Sequence, residues 1–253
     1  MQLWSAEHAA TLIPAVVLMI VAAALLRLWL GKKEIGVRMI PFQILAVAIV
    51  LLEIGKQAVS LSRGYDLYHL PFHFCSLFIF SLPAMAFYKG KHRGLVRGVT
   101  ASLCGAMTLL LLIYPCLIYS AWDIQNYFRD YMAFHTVTFH NIVVFAFILI
   151  VALNLHTPQP KGEKKVLSLF TVGFCMTAAL MSQLLQTNYA NFYQCNIPPL
   201  ENLRLAVREA VGAVPAQILY VLIVTVLHIL FVQMCYWLYR RLRGVFVKPK
   251  MAV

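Results

Sequence analysis

The chain has 253 residues, of which 62% are hydrophobic and only 12% charged, and its mean hydropathy is +0.79. A soluble domain carries about 25% charged residues to stay in water, so this composition excludes a soluble enzyme and calls for lipid as the solvent. The net charge of +12 is split into short clusters between apolar runs, which is a topology code and speaks against nucleic acid as a partner.

A membrane helix needs about 20 mostly apolar residues, and seven stretches qualify: 9–30, 38–60, 69–88, 95–119, 131–155, 165–187 and 213–238. The first has no basic segment before it, so it reads as a span and not as a cleavable signal peptide. The second is the most polar. Glu53 stands three residues before Lys56 and four before Gln57, so the three share a helix face. The third opens on His69 and His73, another i,i+4 pair. The fourth lies within a stretch, 98–122, free of Asp, Glu, Lys and Arg. The fifth carries His135, Thr136, His140 and Asn141 in its first half. The sixth closes on Gln183, Gln186, Thr187 and Asn188, with Gln183 and Thr187 again four apart. The connection 188–212, with Asn191, Asn196 and Pro198-Pro199, is long enough to fold over the mouth of a bundle. The seventh has Gln217 near its start and His228 alone midway. Lys248 to Val253 reads as a frayed tail.

In a seven-span arrangement one side receives Arg27, the clusters 31–38, 89–97 and 161–165, and the tail, which is 16 of the 21 basic residues. The positive-inside rule makes that side cytoplasmic. The expected fold is therefore all-α: a single transmembrane domain over 1–253, multi-pass in the cell membrane, with its N-terminus outside and its C-terminus in the cytoplasm. No internal repeat is visible, which argues against an inverted-repeat transporter. Retinal binding is excluded by the lack of a lysine in the seventh span.

Polar groups cost free energy in hydrocarbon, so their position is informative. Five spans place such groups at one depth, in the outer half. The expectation is a shared cavity lined by Glu53, Lys56, Gln57, His69, His73, His135, His140, Gln183, Thr187, Asn188 and Gln217, holding membrane lipid or a small-molecule ligand. Each group also has a plainer reading. Glu53 and Lys56 can be a neutralised pair that locks span 2 to its neighbours. Gln183 and Gln217 can be interhelical glue, and His228 a packed histidine. Three histidines and a glutamate could ligate zinc, but the usual motif spacing is missing, so neither metal nor cofactor is expected. The six cysteines form no CxxC pair. A disulfide between Cys116 and Cys195, both near the outer face, is open at this stage.

Three short segments carry a family resemblance. Leu70-Pro71-Phe72-His73-Phe74-Cys75-Ser76-Leu77 resembles the LP-x-H/Q-x-C-S segment of the YwaF-like bacterial integral membrane proteins, which are grouped with eukaryotic transmembrane protein 164. Phe134-His135 through His140-Asn141-Ile142-Val143-Val144 is similar to that family's histidine-bearing span. Gln186-Thr187-Asn188-Tyr189 is similar to its Gly-Thr-Asn-Tyr segment. The resemblance implies a multi-span fold. It also implies, from the eukaryotic members, acyl transfer between phospholipids through a cysteine with a histidine. Carried onto this chain, Cys75 is the thiol candidate, and His73 and His140 the shared polar positions. On a regular helix residues two apart point about 200° from each other, so the base for Cys75 is either a histidine of another span, such as His140, or His73 brought round by distortion at Pro71.

Three functions follow as expectations. The first is a lipid-acyl transferase or hydrolase using Cys75 and a histidine. The second is a transporter or binding protein for a small polar or anionic solute. The third is a non-catalytic structural or accessory subunit, in which the polar groups only fasten helices.

Overall fold

The computed structural model describes residues 3–246, and every regular element among them is helical. In chain order these are α1 (Ala6–Leu30), α2 (Ile35–Ser62), α3 (Leu77–Phe87), α4 (Arg93–Ile113), α5 (Ala121–Gln125), α6 (Tyr131–Ala152), α7 (Pro160–Leu185), α8 (Pro198–Val211) and α9 (Ala213–Phe246). The tail expected at Lys248 to Val253 lies outside the described residues.

Six of these helices are long and apolar enough to cross a membrane; the apolar stretch Phe74–Phe87 is shorter. The helix expected over 69–88 is thus replaced by an 11-residue α3. Gly64, at φ 81, turns the chain away after α2. Asp66 then caps a 3-10 turn at Leu67–His69 by accepting from the Tyr68 amide. Pro71 has no N–H to give a helix and holds Leu70 extended. A second 3-10 turn, Phe74–Ser76, leads into α3. The fourth expected span also ends early, at Ile113, because Pro115 follows. The chain instead forms the short α5, closed by a capping box between Ser120 and Asp123.

The two ends of the bundle are fixed by hydrogen bonds. At the upper end, where α1 begins, His8 Nε2 donates to the Tyr119 carbonyl at 2.8 Å. Arg63, after α2, meets Asp130, the N-cap of α6, at 2.9 Å. Partial burial works to raise the Asp130 carboxyl, but Arg63 and two backbone N–H groups outweigh it and hold it below the usual range. At the lower end Arg38 of α2 donates to the Leu153 carbonyl at 2.9 Å, and Tyr236 of α9 donates to Glu163 of α7 at 2.8 Å.

Helix α4 sits at the centre, against α3, α6, α7 and α9. Every one of its residues from Gly98 to Thr108 is buried, including Thr100, Ser102 and Thr108. Its small residues let neighbours come close: a Cβ added at Gly105 would lie 2.9 Å from the Phe147 ring. The outward faces are the reverse, with Leu18, Leu28 and Trp29 of α1 largely exposed, as lipid-facing side chains are.

Helices α2 and α6 meet where Tyr131 lies across Gly55. Its hydroxyl donates to the Leu52 carbonyl at 3.0 Å and occupies the space a Cβ on Gly55 would need. Gly55→Val is therefore expected to lower stability by about 1–3 kcal/mol through overpacking, read as a fall in melting temperature. An unchanged melt would show that the two helices separate freely there.

Candidate functional site

The upper end of the bundle holds a cavity of about 320 Å³. Two long irregular segments, the turn after α4 at Leu117 and Ile118, and parts of α2, α4, α6 and α9 form it.

The first segment, 65–76, is clamped by a polar stripe on α2. Gln57 donates to the His69 carbonyl at 2.9 Å, and Ser60 bonds the His69 ring at 2.7 Å. Gln57 also donates to Glu53 at 2.6 Å and accepts from Tyr65. Glu53, buried at 8% exposure, is the hub: Lys56 lies at 2.7 Å and His135 of α6 at 3.4 Å. Opposite charge and hydrogen bonding together make such a carboxylate tolerable away from water. The irregular backbone places His73 outside any α-helix, so the i,i+4 relation of His69 and His73 does not hold. The His73 ring instead packs on Tyr68 and Tyr189, with centroids 4.4 and 5.3 Å away.

The second segment, 186–197, doubles back along α7. Gln186 ends that helix in the left-handed conformation, at φ 50, and Ala190 and Asn191 are also at positive φ. Phe192 packs against Cys175, Ala178 and Ala179 of α7 and stacks on His228 of α9 at 5.6 Å. Helix α8 then runs back along the start of α9, with Arg204 over the Tyr220 ring and 3.2 Å from Gln217. The connection expected to fold over the mouth thus contributes Asn188, Ala190, Asn191 and Asn196 to the cavity lining, while its helix α8 lies along α9. Tyr189 joins the two segments by donating to the Leu67 carbonyl.

Bare carbonyls at such depth need donors, and this explains two glutamines. Gln183 of α7 and Gln217 of α9 both donate to the Phe192 carbonyl, at 3.1 and 2.9 Å. Either Gln→Leu change alone is expected to cost about 1 kcal/mol. The double variant strips the carbonyl of both and should lose more than the sum, with a coupling of about 0.5–3 kcal/mol. Strict additivity in thermal melts would refute the clamp.

Of the residues expected from sequence, Glu53, Lys56, His69, His73, Cys75, His135, His140 and Asn188 line the cavity. Gln57 stands behind it, holding Glu53 and His69. Gln183, Gln217 and Thr187 are not among the lining residues. Thr187 lies beyond the end of α7 and bonds the Leu185 carbonyl, so its helical relation to Gln183 is lost. Sequence reading missed His228, Met107, Leu110 and Phe231, which also line the cavity. Only a lone polar residue in an apolar span hinted at His228. All six cysteines are free, including Cys116 and Cys195.

Backbone carbonyls set the histidine tautomers, since a carbonyl can only accept. His140 Nδ1 lies 2.6 Å from the Thr136 carbonyl and so carries the proton, leaving Nε2 with a lone pair. His228 is held in the same way by the Val224 carbonyl at 2.8 Å. His73 is the mirror case: Nε2 donates to the Tyr68 carbonyl at 3.0 Å and Nδ1 keeps the lone pair. Among the described residues no three His, Cys, Asp or Glu side chains are placed to hold a metal ion.

The long apolar helices and their exposed apolar flanks define a polytopic helical membrane protein. Residues 3–236 match the model of the TMEM164 family. The chain belongs to that family. Comparison with curated proteins and with solved structures found no match.

Proposed function

We propose that the protein is a seven-pass cell-membrane enzyme that transfers or hydrolyses lipid acyl groups through Cys75, with its N-terminus and upper cavity on the outer side and its C-terminus in the cytoplasm. Two features support seven passes. The chain must descend between Arg63, at the upper end, and α4, which starts beside Glu163 at the lower end. It does so through 64–92, where α3 is short because the segment above it shapes the cavity. The basic clusters then fall at the lower end, as the positive-inside rule requires of a cytoplasmic face.

The observation that carries the enzymatic reading is the lining of one cavity by a thiol, imidazole rings and an apolar floor. Cys75, His73 and His140 share it with Met107, Leu110 and Phe231. Such a space suits an ester between a polar headgroup and an acyl chain. The Cys75 sulfur attacks the ester carbonyl while a histidine nitrogen, His140 Nε2 in this reading, takes the thiol proton. Lys56 is the cation available for the developing oxyanion. Collapse expels the lyso-lipid oxygen, which receives that proton, and leaves a thioester on Cys75. A second lipid hydroxyl, or water, repeats the sequence in reverse and frees the thiol. Among the described residues no hydrogen bond joins Cys75 to a histidine, as is common before substrate tightens a site.

The test is mass spectrometry of the protein after incubation with phospholipid vesicles. An acyl adduct on Cys75, absent from Cys75→Ala, is expected. Full lipid-acyl turnover by Cys75→Ala would remove the reading. Reversible solute binding by a cysteine-free protein with no acyl adduct would favour the solute-binding alternative, to which the Glu53, Lys56 and His135 network is suited.

A further inference from the structure

A second cavity, of about 500 Å³, lies in the lower half between α3, α4 and α7. It is independent of the site above. Ala84, Val96, Val99 and Val166 give it apolar walls, and it opens on the outside of the bundle, where Phe80 is 63% exposed.

Two polar features break its apolar character. Ser81, a residue 8% exposed, lines it, and its buried Oγ has no hydrogen-bond partner. A buried hydroxyl without an acceptor is costly unless something else supplies one. At the lower end His92 closes the groove on a turn that also carries Lys89, Lys91 and Arg93, all exposed. Among the described residues none of these three cations is in an ion pair. No Asp or Glu occurs anywhere from residue 67 to residue 122. Unneutralised charge therefore sits on the turn whose His92 closes the apolar slot.

We infer that this groove binds an anionic glycerophospholipid. The phosphate rests on the Lys89–Arg93 turn, one acyl chain fills the slot, and an ester oxygen accepts from Ser81. Any apolar helix face is coated by lipid; the charge on that turn is what selects an anionic one. Each basic residue at a membrane surface changes anionic-lipid binding by about fivefold. A free phosphate would meet the turn but leave the slot and Ser81 unfilled, so the occupant is a lipid.

The experiment is native mass spectrometry of the full chain, released from phosphatidylcholine vesicles with or without phosphatidylglycerol. One phosphatidylglycerol should be retained in preference to phosphatidylcholine. Combined Lys89→Gln, Lys91→Gln and Arg93→Gln should weaken retention by about 10²-fold. Ala84→Trp should abolish it with the charges intact, and Ala84→Leu, a smaller filling, should weaken it if the tryptophan protein does not fold. Cys75→Ala should leave it unchanged. Equal retention of the two lipids overturns the inference. So does retention that survives filling of the groove, or displacement by glycerophosphate alone, which would mark a headgroup-only site.

Discussion

Replacing His140 with asparagine is expected to slow lipid-acyl turnover by about 10²–10⁴-fold, the usual contribution of a positioned general base. The argument rests on a proton count. Nδ1 of His140 faces the Thr136 carbonyl at 2.6 Å, so it must carry hydrogen and the lone pair is left on Nε2. Asparagine keeps an N–H donor for that carbonyl, and so spares the local hydrogen bond, but it has no basic nitrogen. The rate should therefore fall with little change in melting temperature. His73→Asn is the comparison: its ring also keeps one lone pair, but is tied to Tyr68 and Tyr189. A His140→Asn protein with undiminished turnover and a clear loss from His73→Asn would move the base to His73. Undiminished turnover in both would remove histidine from the mechanism.

The largest stability effect is expected far from that cavity. Glu163 of α7 is 1% exposed. Tyr236 donates to it at 2.8 Å, and His156 Nε2 lies 2.8 Å away. Its carboxyl rests on Gly98 of α4, where a Cβ would come within 2.6 Å of the carboxyl carbon. One side chain thus ties α4, α7, α9 and the connection after α6. Glu163→Ala leaves two buried polar partners without their carboxylate, a loss of about 3–5 kcal/mol for a broken buried pair. Gly98→Ala should reproduce part of it by pushing the carboxylate out. Because the two changes break the same contact, the double variant should cost less than the sum. Melting temperatures of the four proteins in one detergent decide this. An unchanged Glu163→Ala melt, or simple additivity, would refute the clasp.

Much of the architecture was legible beforehand. The six long helices fall where the apolar runs lie, because in hydrocarbon a chain must satisfy its own backbone, and a helix of about 20 apolar residues does so with local bonds alone. The three short motifs pointed to the family for the same local reason: they are contiguous. Convergence of Glu53, His73 and His140 was also foreseen, since hydrocarbon would not tolerate them singly.

What hydropathy could not convey was where helices break. The run 69–88 is apolar enough for a span, yet Gly64 and Pro71 divert its first part into 3-10 turns. Gln183 and Gln217 looked like cavity residues, because an amide in an apolar run signals only that a partner exists, not which one. Glu163 stood among Lys161, Lys164 and Lys165 as one more charge of a basic cluster. Its burial needed a glycine 65 positions away and a tyrosine 73 positions away.

Membrane residence, the spacing of the apolar runs and the family resemblance all follow from residue order, because those properties are sums over neighbouring residues. It took the folded chain to show which polar groups line the cavity, which fasten the segment after α7, and which ring nitrogen of His73, His140 and His228 is bonded to backbone. Each of those depends on a partner supplied by a distant part of the chain or on the direction in which a broken helix points.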